Sequence, residues 1–440
     1  RMVFSHLCML NFKKTMPKTR SFSLLPILFF TLILSVLMVW GIRGNNPQDI
    51  SIMEGRVLAK FTTTGLDLRR AAGRLYRGNA SSAVDALQNL IQSRSDQKLI
   101  ETAASDQFPL RLIFISAAKA IDRQLIKLTY LPLPDSAIPA DMFSSIYVMR
   151  DESALIPGPE KFNEDTPAFI DAQINNYQAL ITAYPKLNFF AYQIDRLQFS
   201  PNNPLNPYFP EADNGQSLAY FEQNKPEELS FGKMDLASYD AFLSNFYAAD
   251  HHWNIHGVLM AYNGICDLLE ENLDTIGPRL TFGPFITFPG VEFLGHPARA
   301  TFYPVKGDAF EVVDLDLPPH KILSNGEEIS YNLSENYLEG RYSTEPYFYH
   351  YSEYFGGNYA YLEYVFENGS NRNLLFIGDS YKIPLQPLVA SHYNHTYFIN
   401  LPLYGGLSLS AFLSQHQVDD ILIVGGNNVL FLDKNWAIAP

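Results

Sequence analysis

Cysteine is almost missing from this chain. Only two of 440 residues are cysteines, Cys8 and Cys266, and a long apolar run separates them. That excludes a disulfide framework of the kind that staples small secreted domains. Positive charge is also in short supply. Lys and Arg number 32 against 46 Asp and Glu, for a net charge of −14. The first 20 residues hold Arg1, Lys13, Lys14, Lys18 and Arg20 and no acidic residue, so everything after them carries −19. A nucleic-acid partner is excluded on this balance, because such partners are met with basic faces. There is no internal repeat and no low-complexity tract. Charged residues make up 18% and hydrophobic residues 47%, the composition of a chain with a real core rather than a disordered one.

The apolar run is "SFSLLPILFFTLILSVLMVWGI", residues 21–42. Its 22 uncharged residues are enough to cross a hydrocarbon core of about 30 Å as a helix. It lacks the small-x-small site at which a signal peptide is cut. Trp40 sits near its outer end, and the basic residues before it place that side in the cytoplasm. The expectation is an uncleaved, single-pass anchor at 21–42 following a cytoplasmic tail at 1–20, with the main domain outside the cell membrane. The chain begins with Arg, and Met2, Met9 and Met16 are the candidate starts.

Residues 43–105 read as a helical stalk, and "QFPLRLIFISAAKAIDRQLIKL" (107–128) as a further helix. Two apolar runs around Arg150 suggest a hairpin within 144–158. Residues 166–184 have helical periodicity with Pro167 in the first turn. A buried strand follows at 187–194, then a Pro/Asn-rich loop at 200–215. Residues 274–345 alternate in short runs and read as a β-rich insertion. Near the carboxyl end, "LLFI" (374–377), "TYFIN" (396–400) and "DILIV" (420–424) alternate with helical patterns at 384–391 and 407–415. That order predicts a parallel sheet covered by helices, with ligands at the carboxyl ends of its strands.

Three short stretches can carry chemistry. In "LLFIGDSYKIP", Ser380 falls between a strand end and a helix start, where a hydroxyl and backbone N–H groups share one space. Gly378 allows a tight turn there, although Gly-Asp-Ser also makes an ordinary turn and cap. In "FYAADHHWNIHG" (246–257), Asp250 and His252 are two apart. In extended or turn backbone such residues project to the same side, whereas His251 points the other way and is assigned a structural role. Asn254 is a good N-cap for a helix whose apolar face is Ile255, Val258, Leu259, Tyr262, Cys266 and Leu269. Trp253 is expected to pack the motif against the core. A zinc site is the weaker use of these histidines, since further ligands at the right spacing are lacking apart from His256. In "YFGGNYAYLEY" (354–364), the N–H of Gly357 and the amide of Asn358 could join the N–H of Ser380 as oxyanion donors. The bland alternative is a plain glycine turn.

"ADHHWNIHG", "YFGGN" and "LLFIGDSY", taken in that order with "FPLR" at 108–111, resemble the DHHW family of bacterial surface proteins. That family is similar to the SGNH-hydrolase-like proteins of alginate O-acetylation. The resemblance spans residues 105–430. It implies a flavodoxin-like α/β/α sandwich over 106–440 with the serine after the Asp-x-His pair, a permuted order. It implies Ser380 as nucleophile, His252 as base and Asp250 as its orienter. The implied activity is a serine acyltransferase or esterase acting on O-acetyl groups of a cell-surface polysaccharide, beside a membrane-bound O-acyltransferase as partner. The alternative is a non-catalytic glycan-binding or scaffold subunit. No cofactor and no metal are called for. The family pattern leads one to expect a basic residue after the second of the carboxyl-terminal strands, where this chain has "INLPLYGG".

Overall fold

The computed structural model describes residues 50–60, 95–108, 110–134, 139–143, 145–150, 152, 154–330, 333–430 and 438–439, with the single positions Thr31, Ser35 and Asp85. The expected anchor at 21–42 lies outside the described residues except for Thr31 and Ser35. No helix among the described residues is long and apolar enough to cross a membrane. The chain divides into two compact units. In the first, a helix at Ser95–Asp106 ends with the Asp106 carboxylate accepting from the Ala59 N–H at 2.8 Å. The second unit, Ser51–Arg56 with Ile115–Pro440, holds all that follows.

The hairpin expected at 144–158 forms from β1 (Ile146–Val148) and β2 (Leu155–Pro157), paired antiparallel. The central sheet then takes β3 (Asn188–Gln193) and β4 (Leu229–Lys233). β5 (Phe282–Phe293) and β6 (Asp308–Leu315) make a separate antiparallel pair, and β7 (His320–Ser324) returns to the central sheet. β8 (Tyr361–Phe366), β9 (Asn373–Gly378), β10 (His395–Asn400) and β11 (Asp420–Gly425) complete it. So 274–345 holds β5, β6, β7 and the short strand Glu327–Glu328, and the last two join the main sheet.

In space the central sheet runs Glu327–Glu328, β7, β8, β10, β9, β11, β3, β4. The five strands from β10 to β4 are mutually parallel, and β8 and β7 are antiparallel additions. Counted from β9 as the first strand, the parallel part has the order 2-1-3-4-5, the doubly wound order of flavodoxin. Its fourth and fifth strands, β3 and β4, come first in the chain. The architecture is thus mixed α/β around a sheet rich in parallel strands.

The sequence explains why β9 sits at the centre. A strand covered on both faces needs apolar residues at every position rather than alternate ones. Leu374, Leu375, Phe376 and Ile377 are all fully buried, each contributing about 1.5–3 kcal/mol. Leu374 and Phe376 enter one core, with β5, β6 and the helix after Asn254; Leu375 and Ile377 enter the other. That second core holds α1 (Thr166–Ala183), the helix its Pro167 signal announces. α2 (Tyr239–Asn245), α3 (Ile255–Asn272), α4 (His296–Thr301) and α5 (His350–Phe355) surround the carboxyl ends of the strands or lie against the first core.

Two helices differ from expectation. The one expected from 384 begins at Ser380 as a 3-10 turn, Ser380–Leu385, and continues as α6 (Gln386–Ala390). The Asp379 side chain caps it by accepting from the Tyr381 N–H at 3.0 Å. Pro384 lacks the N–H that a regular α-turn would use. The helix expected at 407–415 shrinks to Leu409–Leu413, capped by Ser408.

Candidate active site

The serine side of the site is made by regular structure. β9 ends at Gly378, and Ser380 follows it at the carboxyl edge of the sheet, half-buried. Gly378 does not take the left-handed conformation expected of a tight-turn glycine. It is required by close approach: a Cβ there would stand 2.7 Å from the backbone oxygen of Val424 on β11. The Ser380 N–H makes no hydrogen bond to another described residue.

The histidine side is a loop held by contacts. Residues 246–253 close on themselves through a bridge between Phe246 and Trp253, with the Tyr247 N–H donating to the His252 carbonyl at 3.1 Å. Asn254 caps α3, its side-chain oxygen accepting from the N–H groups of His256 (3.0 Å) and Gly257 (3.3 Å). Trp253 is fully buried and donates to the Tyr351 hydroxyl at 3.1 Å. Below the loop, the Asp308 carboxylate accepts from the N–H groups of Ala248 (3.1 Å) and Ala249 (2.8 Å).

These two structures bring together the three residues singled out above. His252 Nε2 lies 2.9 Å from Ser380 Oγ. His252 Nδ1 lies 2.5 Å from Asp250 Oδ1. The Asp250 carboxylate also accepts from the backbone N–H of His252 at 2.9 Å and of His296 at 2.8 Å. With Nδ1 donating to the carboxylate, Nε2 is left to accept the serine proton. Burial acts to raise the Asp250 pKa, but the positive charge available to His251 and His252 outweighs it and holds the carboxyl well below its ordinary range. The His252 ring is fixed by stacking on Tyr351, with centroids 4.3 Å apart.

His251 corrects one expectation. Instead of pointing away, it stacks on His252 with centroids 3.9 Å apart, and its Nδ1 stands 3.5 Å from Asp250 Oδ2. The Tyr381 hydroxyl donates to its carbonyl, which bends the dipeptide so that both rings face the carboxylate. Burial, then the neighbouring His252, lowers the His251 pKa; burial, then His251, lowers that of His296. Asp250, His251 and His252 offer ligand atoms within 4.8 Å of one another. Both nitrogens of His252 are already engaged, however, so a metal on that ring would break the bond to Asp250 or the one to Ser380.

The glycine loop needs a second correction. The Gly357 N–H donates to the Ser352 carbonyl at 2.7 Å and has no bond left for an oxyanion. Gly356, at φ 92°, is the left-handed residue that ends α5, so Gly356-Gly357 is a helix C-cap. Asn358 does line the cavity with Ser380 and His252, a space of about 690 Å³. Its side-chain oxygen accepts from the Asn400 amide at 2.6 Å, which leaves the Asn358 NH₂ as the donor end.

Sequence reading missed Tyr351, Tyr381, Gly295, His296 and Asp308. Gly295 has the sharpest requirement, since a Cβ there would fall 1.7 Å from Asp250 Oδ2. No local pattern reveals a contact between residues 45 apart. The basic residues near the site come from unexpected places: Arg196 follows β3, and Arg299 lies on α4 with its guanidinium 3.9 Å from the Tyr349 ring centroid.

No family model and no curated protein matches the sequence. Solved structures do. Bacillus cereus PatB1 with a sulfonyl adduct superimposes with a TM-score of 0.53 at 14% identity, over 66% of this chain and 98% of that one. A DHHW family protein from Eubacterium siraeum gives 0.50 at 14% identity, over 68% of this chain and 97% of that one. At such identities the likeness concerns the fold: this chain shares the α/β fold of PatB1 and of a DHHW family protein.

Proposed function

We propose that this chain is a serine acyltransferase or esterase whose nucleophile, base and orienting carboxylate are Ser380, His252 and Asp250. One observation carries the reading: the unbroken relay from Ser380 Oγ to His252 Nε2 at 2.9 Å and from His252 Nδ1 to Asp250 Oδ1 at 2.5 Å. Nε2 takes the serine proton as Oγ bonds to the carbonyl carbon of an ester. The tetrahedral oxyanion is met by the Ser380 N–H and the Asn358 NH₂. Collapse expels the donor alcohol, which takes the proton back from His252, and leaves an acyl-serine. An acceptor hydroxyl then gives its proton to His252 and attacks the acyl carbon, and Ser380 is restored. When water is the acceptor, the same steps give hydrolysis.

The strand order supports a circularly permuted SGNH-hydrolase arrangement, since the serine strand is first in fold order and third in chain order. The motifs "ADHHWNIHG" and "GDS" support O-acetyl groups of a cell-surface polysaccharide as substrate, with a membrane-bound O-acyltransferase as partner. The apolar run at 21–42 supports a single-pass anchor with residues 43–440 outside the cell; protease added to intact cells should then digest the main domain, and protection of that domain would overturn the topology.

The relay has a direct test. The full chain should hydrolyse p-nitrophenyl acetate, and phenylmethanesulfonyl fluoride should add one sulfonyl group at Ser380, in line with the adduct reported for PatB1. Ser380→Ala should lose both responses and keep its melting temperature. Undiminished turnover in Ser380→Ala would sink the nucleophile assignment. A wild-type protein inert to both reagents would favour the non-catalytic glycan-binding reading.

A further inference from the structure

A second cavity, of about 580 Å³, adjoins the catalytic one without including Ser380. It lies past the carboxyl end of β3, where Arg196, Leu197 and Gln198 line it. Ile156, Tyr239, Phe242, Leu243 and Phe246 supply its apolar lining, and Arg196, His251 and His296 its polar groups. His251 lines both cavities. A cavity of this size with an apolar wall and a few convergent polar groups has the build of a small-molecule site.

Arg196 gives that site its chemistry. It makes no ion pair to any described carboxylate, and its Nε is buried without a hydrogen-bond partner. The guanidinium carbon lies 5.7 Å from the Tyr381 ring centroid. Its stem is pressed across Gly426, just past β11, where a Cβ would fall 2.1 Å from Arg196 Cδ. The side chain is therefore held in place. A half-buried guanidinium with no ion pair to a described carboxylate presents a fork that matches a carboxylate. Among the described residues, the acidic groups on the lining are Asp250 and Glu160. Asp250 is committed to His252 and to the N–H of His296, and Glu160 is solvent-exposed. The nearness of Asp250 disfavours a dianion and selects a single negative charge.

We propose that this cavity binds a small amphipathic carboxylate, an aryl or medium-chain alkyl acid, with its carboxylate on Arg196 and its apolar body against Phe242 and Leu243. Such a ligand would sit against the face of His251 away from Ser380. The site does not depend on the acyl-serine chemistry.

Fluorine NMR on the purified full chain tests it, with 4-fluorophenylacetate as the probe and 4-fluorophenylacetamide as its neutral match. The acid should bind saturably and at least tenfold more tightly than the amide. Arg196→Gln should bring the acid down to the amide's level, while Ser380→Ala should bind the acid as wild type does. Equal binding of acid and amide, or undiminished binding by Arg196→Gln, would overturn the proposal. Loss of acid binding in Ser380→Ala, or after sulfonylation of Ser380, would move the ligand to the catalytic cavity. If Arg196→Gln does not fold, Leu243→Trp decides: filling the cavity should abolish acid binding and leave p-nitrophenyl acetate turnover unchanged, and retained binding would refute the site.

Discussion

Ser380 and His252 meet at 2.9 Å, but the two sides of the site are built differently. Ser380 stands at the end of a strand buried on both faces, and the sheet that positions it is also the core of the fold. His252 stands in a loop with no regular structure of its own. Its place depends on separate contacts: Asp308 below, Gly295 and His296 against the carboxylate, Tyr351 under the ring and Trp253 anchoring the turn. A nucleophile on a sheet edge is placed by the same burial that folds the protein. A base on a loop needs supports of its own, separate from the burial that builds the sheet. Changes on the loop side should therefore disturb the base while leaving the sheet and Ser380 in place.

The largest effect belongs to the relay. His252→Ala and Asp250→Ala should each lower ester turnover, the first by about 10²–10⁴-fold through loss of proton transfer. The double variant should be little worse than either alone, because the residues act as a unit. Additive losses would argue against a shared relay. His251→Ala sharpens the point, since it should lower turnover far less than His252→Ala in folded protein.

Gly295→Ala should come next. Its new methyl has no room beside Asp250, so the carboxylate must move. Turnover should fall toward that of Asp250→Ala, with a stability cost of about 1–3 kcal/mol from overpacking. Wild-type turnover in this variant would show that Asp250 tolerates displacement. Asp308→Ala should be milder on chemistry. It leaves two N–H donors of the loop unsatisfied, at a cost of about 1–3 kcal/mol, measurable by denaturant titration, with a smaller loss of turnover.

The smallest expected effect concerns pH, and it pits two carboxylates on the same loop against each other. Asp250 is held below its ordinary pKa, so its stabilising contribution is present above about pH 4 and is lost as pH falls further. Asp308 is raised, by burial first, against the pull of the Ala249 and Ala248 N–H groups. Its contribution is full at low pH and declines as pH rises through the folded value. Melting temperatures of Asp250→Asn and Asp308→Asn against wild type should thus diverge in opposite directions with pH. Parallel curves would contradict the assigned shifts.

How much of this was legible depended on how local each cause is. β9, β10 and β11 read directly, because double-sided burial demands unbroken apolar runs. The place of Ser380 between strand and helix was legible, because a strand end, a glycine and a capping Asp379 are all within three residues. Asp250 and His252 read through their spacing and the Asn254 cap. The orientation of His251 did not, because it is set by Tyr381, 130 residues away. Gly357 was misread although the signal was present. A glycine pair after "HYSEYF" is a helix terminator, and the carbonyl of Ser352 claims the N–H that an oxyanion would need. Gly295 could not be read at all, since nothing near it in the chain explains why a side chain is forbidden.

The place of β11 has a consequence for how the protein comes to be active. It pairs with β9 on one side and β3 on the other, so it is the strand through which β3 and β4 are joined to the rest of the sheet. It is also the last strand of that sheet to leave the ribosome. Asp250 and His252 are synthesised about 130 residues ahead of Ser380, and Ser380 about 40 ahead of β11. A chain that stops short of residue 420 therefore carries Asp250, His252 and Ser380 but lacks the strand that joins β3 and β4 to β9. On the proposed function, alignment of the relay waits until β11 has paired on both sides.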